Sequence, residues 1–300
     1  MEITVIIAVR NRPGPLDRCL AALRKQTLPP DRWETIVVDN GSTDATPRVA
    51  AQYGARVIEE PQPNRCRARN TGVRHARTPW VAFTDSDCEP QPGWLTSLLQ
   101  TIETFPEGSP VAALAGRIDP ATPVTPAEAY IARHRWVDQA KFLAPGRSFS
   151  PPFAATANLA VRRDVFVELG GLDPALATAG EDADWCWRAR EAGYQIQYQP
   201  EAVVLHRHRA STGAMWRQAY RYGVGNAELF AKWRTKWGAH RWVEPRHPAW
   251  ALKALVKTPW CLVTGRDPLE RRMAWFDCLA NTAMTLGRMR GGLRHRVLVI

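Results

Sequence analysis

Two aspartates separated by a single serine follow an apolar run in the first third of the chain. The run is formed by residues 81–84, and the residues that end it are Asp85, Ser86 and Asp87. A buried strand that stops there can direct two carboxylates at one divalent cation, and such a cation can hold a diphosphate. The same residues also suit an ordinary strand-to-turn junction, because Asp and Ser side chains bond the local backbone. The pair therefore indicates either a metal-dependent enzyme acting on a nucleotide or a simple turn.

A second acidic cluster, formed by Glu181, Asp182 and Asp184, lies about a hundred residues further along the chain. The residues after it have the spacing of a helix, and Gly193 is the type of residue that ends one. Acidic side chains at the start of a helix often only complement the helix dipole, and we assign this structural role to Asp184. Glu181 and Asp182 lie in a Gly-Glu-Asp turn, and such a turn opposite a metal site would remove the proton from an acceptor hydroxyl.

These polar residues belong to an alternating pattern of strands and helices. Residues 3–9 form an apolar run that predicts a first buried parallel strand. Further strands are predicted at residues 34–40, 55–59 and 80–84, and helices follow the first three strands. We therefore predict an α/β domain whose mostly parallel sheet is covered by helices on both faces, with ligands bound at the carboxyl ends of the strands.

Polar clusters occur at four of the predicted strand and helix ends. They are Arg10-Asn11, Asp39-Asn40, Arg69-Asn70 and residues 85–87. Arginines suit an anionic diphosphate, an acidic residue after strand 2 suits a base or a ribose, and the aspartate pair suits a metal. The chain has no G-x-G-x-x-G after strand 1 and no G-x-x-x-x-G-K-[ST] anywhere. A dinucleotide oxidoreductase and a P-loop NTPase are therefore not expected.

Together these segments resemble the inverting family 2 glycosyltransferases, which have the GT-A fold, a Rossmann-like α/β fold. The matching segments occur in the family's order at residues 8–12, 37–44, 68–72, 83–87 and 171–182. The resemblance covers residues 1 to about 210, and in subgroup the chain is similar to single-addition, rhamnosyl-type bacterial polysaccharide transferases. The Gln-x-x-Arg-Trp signature of processive synthases is not evident, because the run from Arg133 to Trp136 precedes the acidic cluster. Polymer synthesis is therefore not expected.

The resemblance implies a role for each matching position. The residues implied to bind the nucleotide are Ala8, Arg10, Asn11, Asp39, Arg69, Asp85 and Ser86. Asp87 is implied to ligate Mn²⁺ or Mg²⁺, with Asp85 and His206 as further metal residues. The implied catalytic residues are Asp182, as the base, and Glu181. His206 also fits an ordinary polar residue at the end of a strand. Asp39 can accept hydrogen bonds from several bases, so the donor nucleotide stays open.

The implied reaction moves a sugar from a nucleotide-diphosphate sugar to a hydroxyl of a glycan or a lipid-linked glycan. Asp182 would take the proton on the face of the sugar opposite the departing diphosphate, so that the anomeric configuration inverts. Water would compete as an acceptor, and a loop that closes over the donor would exclude it. The predicted loop is residues 138–150, which contain Pro145-Gly146 and few apolar anchors.

The last third of the chain is basic and rich in tryptophan. From His206 to Ile300 there are 18 Lys or Arg and five Asp or Glu, a net charge of +13, whereas the whole chain carries +11. Seven of the 13 tryptophans lie in this segment. We predict a mainly helical extension that attaches to an anionic membrane surface without spanning it, because charged residues interrupt its apolar stretches. The alternative is that these helices pack on the catalytic domain. Nucleic-acid binding is not expected, because the tail is joined to a site of another kind.

These features predict two domains. Residues 1–210 are the predicted catalytic domain, with the nucleotide-sugar half at about 1–115 and the half for acceptor and base at about 116–210; residues 211–300 are the extension. One competing function is a sugar-nucleotide-forming nucleotidyltransferase, which would require a glycine-rich basic loop after strand 1, where only Gly14 is present. Another is a catalytically silent membrane-binding module, in which the acidic residues are structural.

The spacing of the cysteines and the apolar run at the start of the chain indicate the cellular compartment of the protein. The six cysteines are widely spaced without a C-x-x-C pair, and the apolar run at the start is too short for a signal peptide. We therefore predict reduced thiols and a cytoplasmic protein, peripheral on the inner face of the membrane if the extension binds lipid. With 300 residues and 45% apolar content, the chain can bury a sizeable core.

Overall fold

The computed structural model describes residues 1–144, 151–237, 268–297 and 299. The strands of these ranges are β1 (Ile3–Val9), β2 (Trp33–Asp39), β3 (Arg56–Glu59), β4 (Trp80–Thr84), β5 (Cys88–Pro90), β6 (Val111–Pro120), β7 (Asn158–Arg162) and β8 (Gln195–His206). The helices are α1 (Pro13–Leu23), α2 (Thr46–Gln52), α3 (Arg65–His75), α4 (Trp94–Ile102), α5 (Pro126–His134), α6 (Gln139–Leu143), α7 (Arg163–Glu168), α8 (Glu181–Glu191), α9 (Thr212–Trp237) and α10 (Pro268–His295). Short 3₁₀ turns lie at Pro30–Arg32 and Pro174–Leu176.

The strands form one eight-stranded mixed sheet with the order β3-β2-β1-β4-β7-β6-β8-β5. β1 is parallel to β2 and β4, and β2 is parallel to β3. In the other half, β7 is antiparallel to both β4 and β6, and β5 is antiparallel to β8. The prediction of a parallel sheet is therefore right for β1 to β4, whereas the second half is mixed because β7 enters between β4 and β6 in the opposite direction.

The predicted strands of the first half agree closely with the structure. β1 and β4 have the predicted bounds, β2 begins and ends one residue earlier than predicted, and β3 begins one residue later. All residues of β4 and nearly all of β1 are buried, as expected for strands covered on both faces. In α1 the buried side chains are Leu16, Cys19, Leu20 and Leu23, the spacing of one helix face. The helix α3 begins at Arg65 because the Asn64 side chain accepts hydrogen bonds from the N–H groups of Cys66 and Arg67.

The predicted mobile loop at residues 138–150 is wrong over its first part. Residues 139–143 form α6, and the side chain of Asp138 accepts the backbone N–H of Lys141 at the start of this helix. Gln139 is buried, and its side chain binds the backbone N–H of Ala155 at 2.8 Å and the carbonyl of Asn158 at 2.9 Å. The Phe142 ring also stacks on Phe153 with centroids 4.7 Å apart, so polar and apolar contacts together anchor this segment. Residues 145–150 lie outside the described residues.

The C-terminal helices α9 and α10 pack on the rest of the protein and on each other. Leu229, Phe230 and Trp233 of α9 belong to the core cluster that includes Trp187 of α8, and the Trp187 and Trp233 rings meet edge to face with centroids 5.6 Å apart. Phe276 of α10 joins a second cluster against α5. Both helices therefore pack on the catalytic part of the chain, as the alternative to a membrane-attached extension predicted. The domain boundary near residue 210 stays a prediction.

Glycines allow α9 and α10 to approach closely. A Cβ atom at Gly223 of α9 would overlap the carbonyl oxygen of Met284, and one at Gly287 of α10 would overlap the carbonyl oxygen of Tyr220. Trp275, on the outer side of α10, is 47% exposed. Trp242, Trp250, Trp260 and the Trp237 side chain lie outside the described residues. None of the helices in the described ranges combines the length and the apolar character needed to cross a membrane.

Candidate active site

A cavity of about 510 Å³ opens beside the carboxyl end of β4. Its walls come from the segment after β4, the end of β8, α3, the start of α8, and α9. The charged or titratable residues that line it are Arg12, Arg65, Arg69, Asp85, Asp87, Glu181, Asp182, His206, Arg209, Arg217, Arg221 and Tyr222. Six of the predicted site residues thus meet in one place, at the carboxyl end of a strand where ligands of such sheets bind. These six are Arg69, Asp85, Asp87, Glu181, Asp182 and His206.

Asp87 is surrounded by positive or ionisable groups. Its Oδ2 atom accepts from Arg12 Nη1 at 3.2 Å and from Arg209 Nη1 at 2.8 Å, and His206 Nε2 lies 3.8 Å from Oδ1. Burial raises the pKa of Asp87, but His206, Arg209 and Arg12 together bring that pKa below its ordinary value. The carboxylate is therefore charged at neutral pH, with Oδ2 bound to two arginines and Oδ1 beside His206.

The surroundings of Asp87 fit a divalent cation. Asp87, Cys88 and His206 each offer one possible ligand atom, and these atoms lie within 4.8 Å of one another. Burial raises the pKa of the Cys88 thiol well above its ordinary value, so the sulfur keeps its proton and is a poor ligand. The remaining carboxylate and imidazole suit Mn²⁺, and a carboxylate with water suits Mg²⁺. His206 Nδ1 lies 3.1 Å from His208 Nδ1, so a hydrogen bond can orient its ring towards Asp87.

Arg69 connects the two acidic clusters that the sequence separates by about a hundred residues. This side chain is buried; Nη2 donates to Asp85 Oδ1 at 2.7 Å, and Nη1 donates to Glu181 Oε1 at 3.1 Å. Arg65, one turn earlier on α3, donates to Glu181 Oε2 at 2.6 Å. Both oxygens of Glu181 are therefore occupied by guanidinium groups. Glu181 thus holds α3 against α8 and is poorly placed to act as a base.

Asp182 is the carboxylate of the cavity that has no ion pair within the described part of the chain. Its Oδ1 atom accepts the backbone N–H of Ala183 at 2.9 Å. Burial raises the pKa of Asp182 to about 7, the negative charge of Glu181 acts in the same direction, and Arg65 and Arg69 oppose the rise only in part. A carboxyl group with this pKa can accept a proton near neutral pH.

The start of α8 fixes the direction of Asp182. Gly180 has φ = +93°, a left-handed conformation that glycine adopts without strain, and it places Glu181 and Asp182 in the first turn of the helix. Asp184, two residues on, is fully buried and accepts from Arg188 Nε at 2.9 Å and Trp233 Nε1 at 2.9 Å. Asp184 therefore anchors α9 rather than only complementing the helix dipole, and it is not available as an alternative base.

The remaining predicted nucleotide residues lie beside the cavity and do not line it. Ala8 is the last but one residue of β1, which pairs with β2 so that Val9 stands opposite Asp39. Asn11 follows β1 with φ = +51°, and its Oδ1 accepts the backbone N–H of Thr43 at 2.8 Å. The buried Asp39 carboxylate accepts the N–H of Ser42 at 3.2 Å. The Asn11–Thr43 bond holds the loops after β1 and β2 against each other, and the Asp39–Ser42 bond lies within the turn after β2.

Two further predicted nucleotide residues differ in exposure. Arg10 is exposed beside the loop that follows β1. Ser86, between the two cavity aspartates, is buried and does not line the cavity.

Several cavity residues were not found from the sequence. Arg12, Arg65 and Arg209 pair with the acidic residues, and Arg217 and Arg221 belong to α9. Arg65 precedes Arg69 by four residues, and this helical spacing on one face is a signal that points to it. The α9 residues carried no such signal, because their composition also suits a helix at a membrane surface.

Comparison with known proteins identifies the family. A family model described as Glycosyl transferase family 2 matches residues 4–170, more than half of the chain. The chain belongs to glycosyltransferase family 2. This membership confirms that the protein is a glycosyltransferase and removes the support for a nucleotidyltransferase or a silent binding module.

Relatives of this glycosyltransferase carry the same activity in their names. Glycosyltransferase AglE of Haloferax volcanii is 32% identical over 237 residues, which are 76% of this chain and 74% of AglE. The pre-mycofactocin glycosyltransferase of Mycobacterium tuberculosis is 35% identical over 214 residues, which are 69% of this chain and 43% of that protein. This chain therefore spans less than half of the mycobacterial relative.

Solved structures confirm the GT-A fold of this glycosyltransferase. The mannosyltransferase PcManGT from Pyrobaculum calidifontis, in complex with GDP-Man and Mn²⁺, superposes with a TM-score of 0.62 at 20% identity, covering 96% of this chain and 87% of that chain. Residues 1–349 of TarS from S. aureus, in complex with UDP, give a TM-score of 0.53 at 18% identity, covering 97% and 92%. The expected fold, with its helical C-terminal region, is therefore confirmed.

Proposed function

We propose that this glycosyltransferase transfers a sugar from a nucleotide-diphosphate sugar to a hydroxyl of a glycan or lipid-linked glycan, with a divalent metal and with inversion of configuration. The observation that carries the proposal is a difference in ion pairing among the four carboxylates of the cavity. Asp85, Asp87 and Glu181 are paired with arginines, whereas Asp182 has no arginine partner among the described residues and has a raised pKa. One part of the cavity thus suits a diphosphate and a cation, and another suits proton removal.

The donor would bind along the ends of β1, β2 and β4. The loops after β1 and β2, which carry Asn11 and Asp39, would hold the nucleoside, and Asp85 would contact the ribose. Arg12 and Arg209, which now bind Asp87, would be shared with the diphosphate when a cation takes their place on that carboxylate. The complexes of structural neighbours with GDP-Man and with UDP support a nucleotide-sugar donor.

Asp87 and His206 would hold the cation, with Asp85 close by. A bound Mn²⁺ or Mg²⁺ would supply positive charge to the phosphate oxygens as the leaving group departs. The carboxylate and imidazole of this chain are the supporting donor set, and the Mn²⁺ complex of the mannosyltransferase neighbour supports the same metal chemistry.

Asp182 would act as the general base. A carboxylate can accept the proton of the attacking hydroxyl only if no cation holds both of its oxygens, and Asp182 meets this condition while Glu181 does not. Glu181 would instead keep Arg65 and Arg69 in place, so it has a positioning role. Attack on the sugar from the side of Asp182, opposite the diphosphate, gives inversion.

The acceptor and the place of action belong to the same proposal. The resemblance to single-addition, rhamnosyl-type transferases of polysaccharide biosynthesis supports one sugar per acceptor. A lipid-linked acceptor would bring a cytoplasmic enzyme to the inner face of the membrane. The outer side of α10 supports this reading, because Trp275, Leu286, Met289 and Leu293 are exposed there next to Arg290 and Arg294.

Isothermal titration of UDP, GDP, dTDP and CDP, each with and without Mn²⁺, tests the donor side. We expect one nucleotide to bind preferentially and its affinity to fall by at least about tenfold when Mn²⁺ is removed. In the variant Asp87→Asn, nucleotide affinity should no longer depend on Mn²⁺. The control is Asp173→Asn, because Asp173 lies outside the cavity; this variant should bind nucleotide more tightly with Mn²⁺, as the unmodified protein does. Equal affinity with and without Mn²⁺ in the unmodified protein would contradict the proposed metal role.

A further inference from the structure

The helix α9 forms one wall of the cavity and spans from the proposed donor side to the proposed base. Just before α9 begins, Arg209 binds Asp87. Thirteen residues into the helix, Gly225 lies against Ala179, in the loop that leads to Asp182. A helix rises about 1.5 Å per residue, so this stretch extends over roughly 20 Å. The residues of this stretch that line the cavity are Ala214, Arg217, Gln218, Arg221 and Tyr222.

Two arginines of α9 line the cavity without a partner. Arg217 and Arg221 are four residues apart, so their side chains lie on the same face of the helix. Both are exposed, and within the described ranges neither makes an ion pair or a hydrogen bond. By contrast, the other four arginines of the cavity are all bound to Asp85, Asp87 or Glu181. Two neighbouring guanidinium groups without carboxylates form a site for an anion.

The residues next to these arginines provide an unsatisfied hydrogen-bond acceptor. Gln218 Nε2 donates to the Tyr222 hydroxyl at 2.9 Å, while Gln218 Oε1 is buried and has no hydrogen-bond partner. Both side chains line the cavity. Asp182 lies near enough to Tyr222 that its charge raises the pKa of that phenol, although burial is the larger cause. A hydroxyl of a bound sugar would satisfy Gln218 Oε1 close to the proposed base.

We propose that the acceptor is an anionic sugar, bearing a phosphate ester or a carboxylate that Arg217 and Arg221 hold while Gln218 accepts from one of its hydroxyls. This proposal rests on the proposed function, because it places the acceptor hydroxyl near Asp182. The donor diphosphate would have its own arginines, Arg12 and Arg209, which bind Asp87 in this structure. Arg217 and Arg221 therefore determine which acceptors bind and leave donor binding unchanged.

The test measures binding of three sugars that differ in charge. Glucose 1-phosphate, glucuronate and glucose are titrated into the full chain, both without nucleotide and with saturating nucleoside diphosphate and Mn²⁺, and binding is followed by ligand-observed NMR. We expect at least one anionic sugar to bind about tenfold or more tightly than glucose, since charge-assisted hydrogen bonds are strong. Preference for glucose 1-phosphate would identify a phosphate ester, and preference for glucuronate would identify a carboxylate.

Variants assign this preference to α9. In Arg217→Gln/Arg221→Gln the preference should be lost, while the affinity for nucleoside diphosphate should stay within about twofold. Arg290→Gln, an exposed arginine of α10 outside the cavity, should change neither. Equal binding of all three sugars to the unmodified protein, or a matching loss of nucleotide affinity in the double variant, would overturn the proposal. If the proposed function were wrong about the donor, no nucleoside diphosphate would bind. The preference for an anionic sugar would still be measured, because the titration is also carried out without nucleotide.

Discussion

Replacing Asp182 by asparagine keeps the size of the side chain and removes its ability to take a proton. General-base catalysis typically contributes about 10²- to 10⁴-fold, so turnover of Asp182→Asn should fall by at least about 10²-fold. Binding of nucleoside diphosphate should stay nearly unchanged, because Asp182 is neither paired with the arginines of the cavity nor part of the proposed cation site. Release of nucleoside diphosphate from the donor gives the rate, since water can replace the acceptor.

The pH dependence follows from the raised pKa of this carboxyl. Burial raises the pKa of Asp182 to about 7. The active, unprotonated fraction should therefore increase about tenfold per pH unit below neutrality and level off above it. In Asp182→Asn this rise should disappear from the residual rate, whereas Asp182→Glu, which keeps a carboxyl group, should retain a rise with pH.

The same substitution should stabilise the protein at high pH. The ordinary pKa of the carboxyl is 3.8, so the folded state binds the proton more tightly than the unfolded chain, and stability is lost as the pH rises from about 4 to about 7. One tenfold change in proton affinity corresponds to about 1.4 kcal/mol, so a rise in pKa from 3.8 to about 7 costs on the order of 4 kcal/mol above pH 7. Urea denaturation should find Asp182→Asn more stable than the unmodified protein at pH 8 by this amount, and similar to it at pH 4.

Two results would refute this reasoning. Turnover of Asp182→Asn within a few-fold of the unmodified rate would mean that another group takes the proton. Equal unfolding free energies of the two proteins at pH 8 would mean that the carboxyl is not destabilised by burial, so that its pKa is not raised. Activity loss together with loss of nucleotide binding would point to a structural role instead.

Three other predictions concern the cation, the anchor of α9 and the outer side of α10. Asp87→Ala should abolish Mn²⁺-dependent binding of nucleoside diphosphate, measured by calorimetry, because it removes a charged ligand from a site with few protein ligands. Asp184→Ala should lower the free energy of unfolding by about 3–5 kcal/mol in urea, because it removes a fully buried carboxylate that binds both the partly buried Arg188 guanidinium and the Trp233 indole. The full chain should co-sediment with vesicles of anionic lipid at low salt, bind neutral vesicles weakly, and bind less at high salt; Trp275→Ala/Leu293→Ala should weaken the binding.

Each of these predictions has a control and a contradicting result. Nucleotide affinity that is unchanged in Asp87→Ala with Mn²⁺ present would exclude this residue as a ligand. Glu191→Ala removes a partly exposed ion pair with Lys236 and should cost less than about 1 kcal/mol, so a similar cost for Asp184→Ala would contradict the anchoring role. Full-length protein that stays in the supernatant with anionic vesicles at low salt would remove the membrane proposal.

Local patterns in the sequence predicted most of the first half of the sheet. β1 and β4 are continuous apolar runs with polar residues directly after them, and such runs depend little on distant contacts. For the same reason the carboxylates at the end of β4 could be placed at the edge where ligands bind. The mixed second half was not predicted, because the direction of β7 and β5 depends on which strands they meet, and that is decided by tertiary packing.

The pairing within the site could not be predicted either. Arg69 was expected to approach a diphosphate or a base, and this stays a prediction; its bonds to both Asp85 and Glu181, the latter 112 residues away in sequence, were not foreseen. The role of α9 was obscured by composition, because tryptophan with arginine suits both a membrane surface and a helix that turns its tryptophan inward. Trp233 is buried against α8, and only the structure distinguishes these two cases.

The configuration of the first product tests the central claim most directly, since a single displacement assisted by Asp182 must invert the anomeric centre. The donor selected by the nucleotide titrations is incubated with Mn²⁺ and the enzyme, and the sugar released to water or to an acceptor is followed by proton NMR from the first minutes, before the free sugar equilibrates. The anomeric coupling constant should show the configuration opposite to that of the donor. A first product with the donor's own configuration would contradict the single displacement and the role of Asp182 as its base.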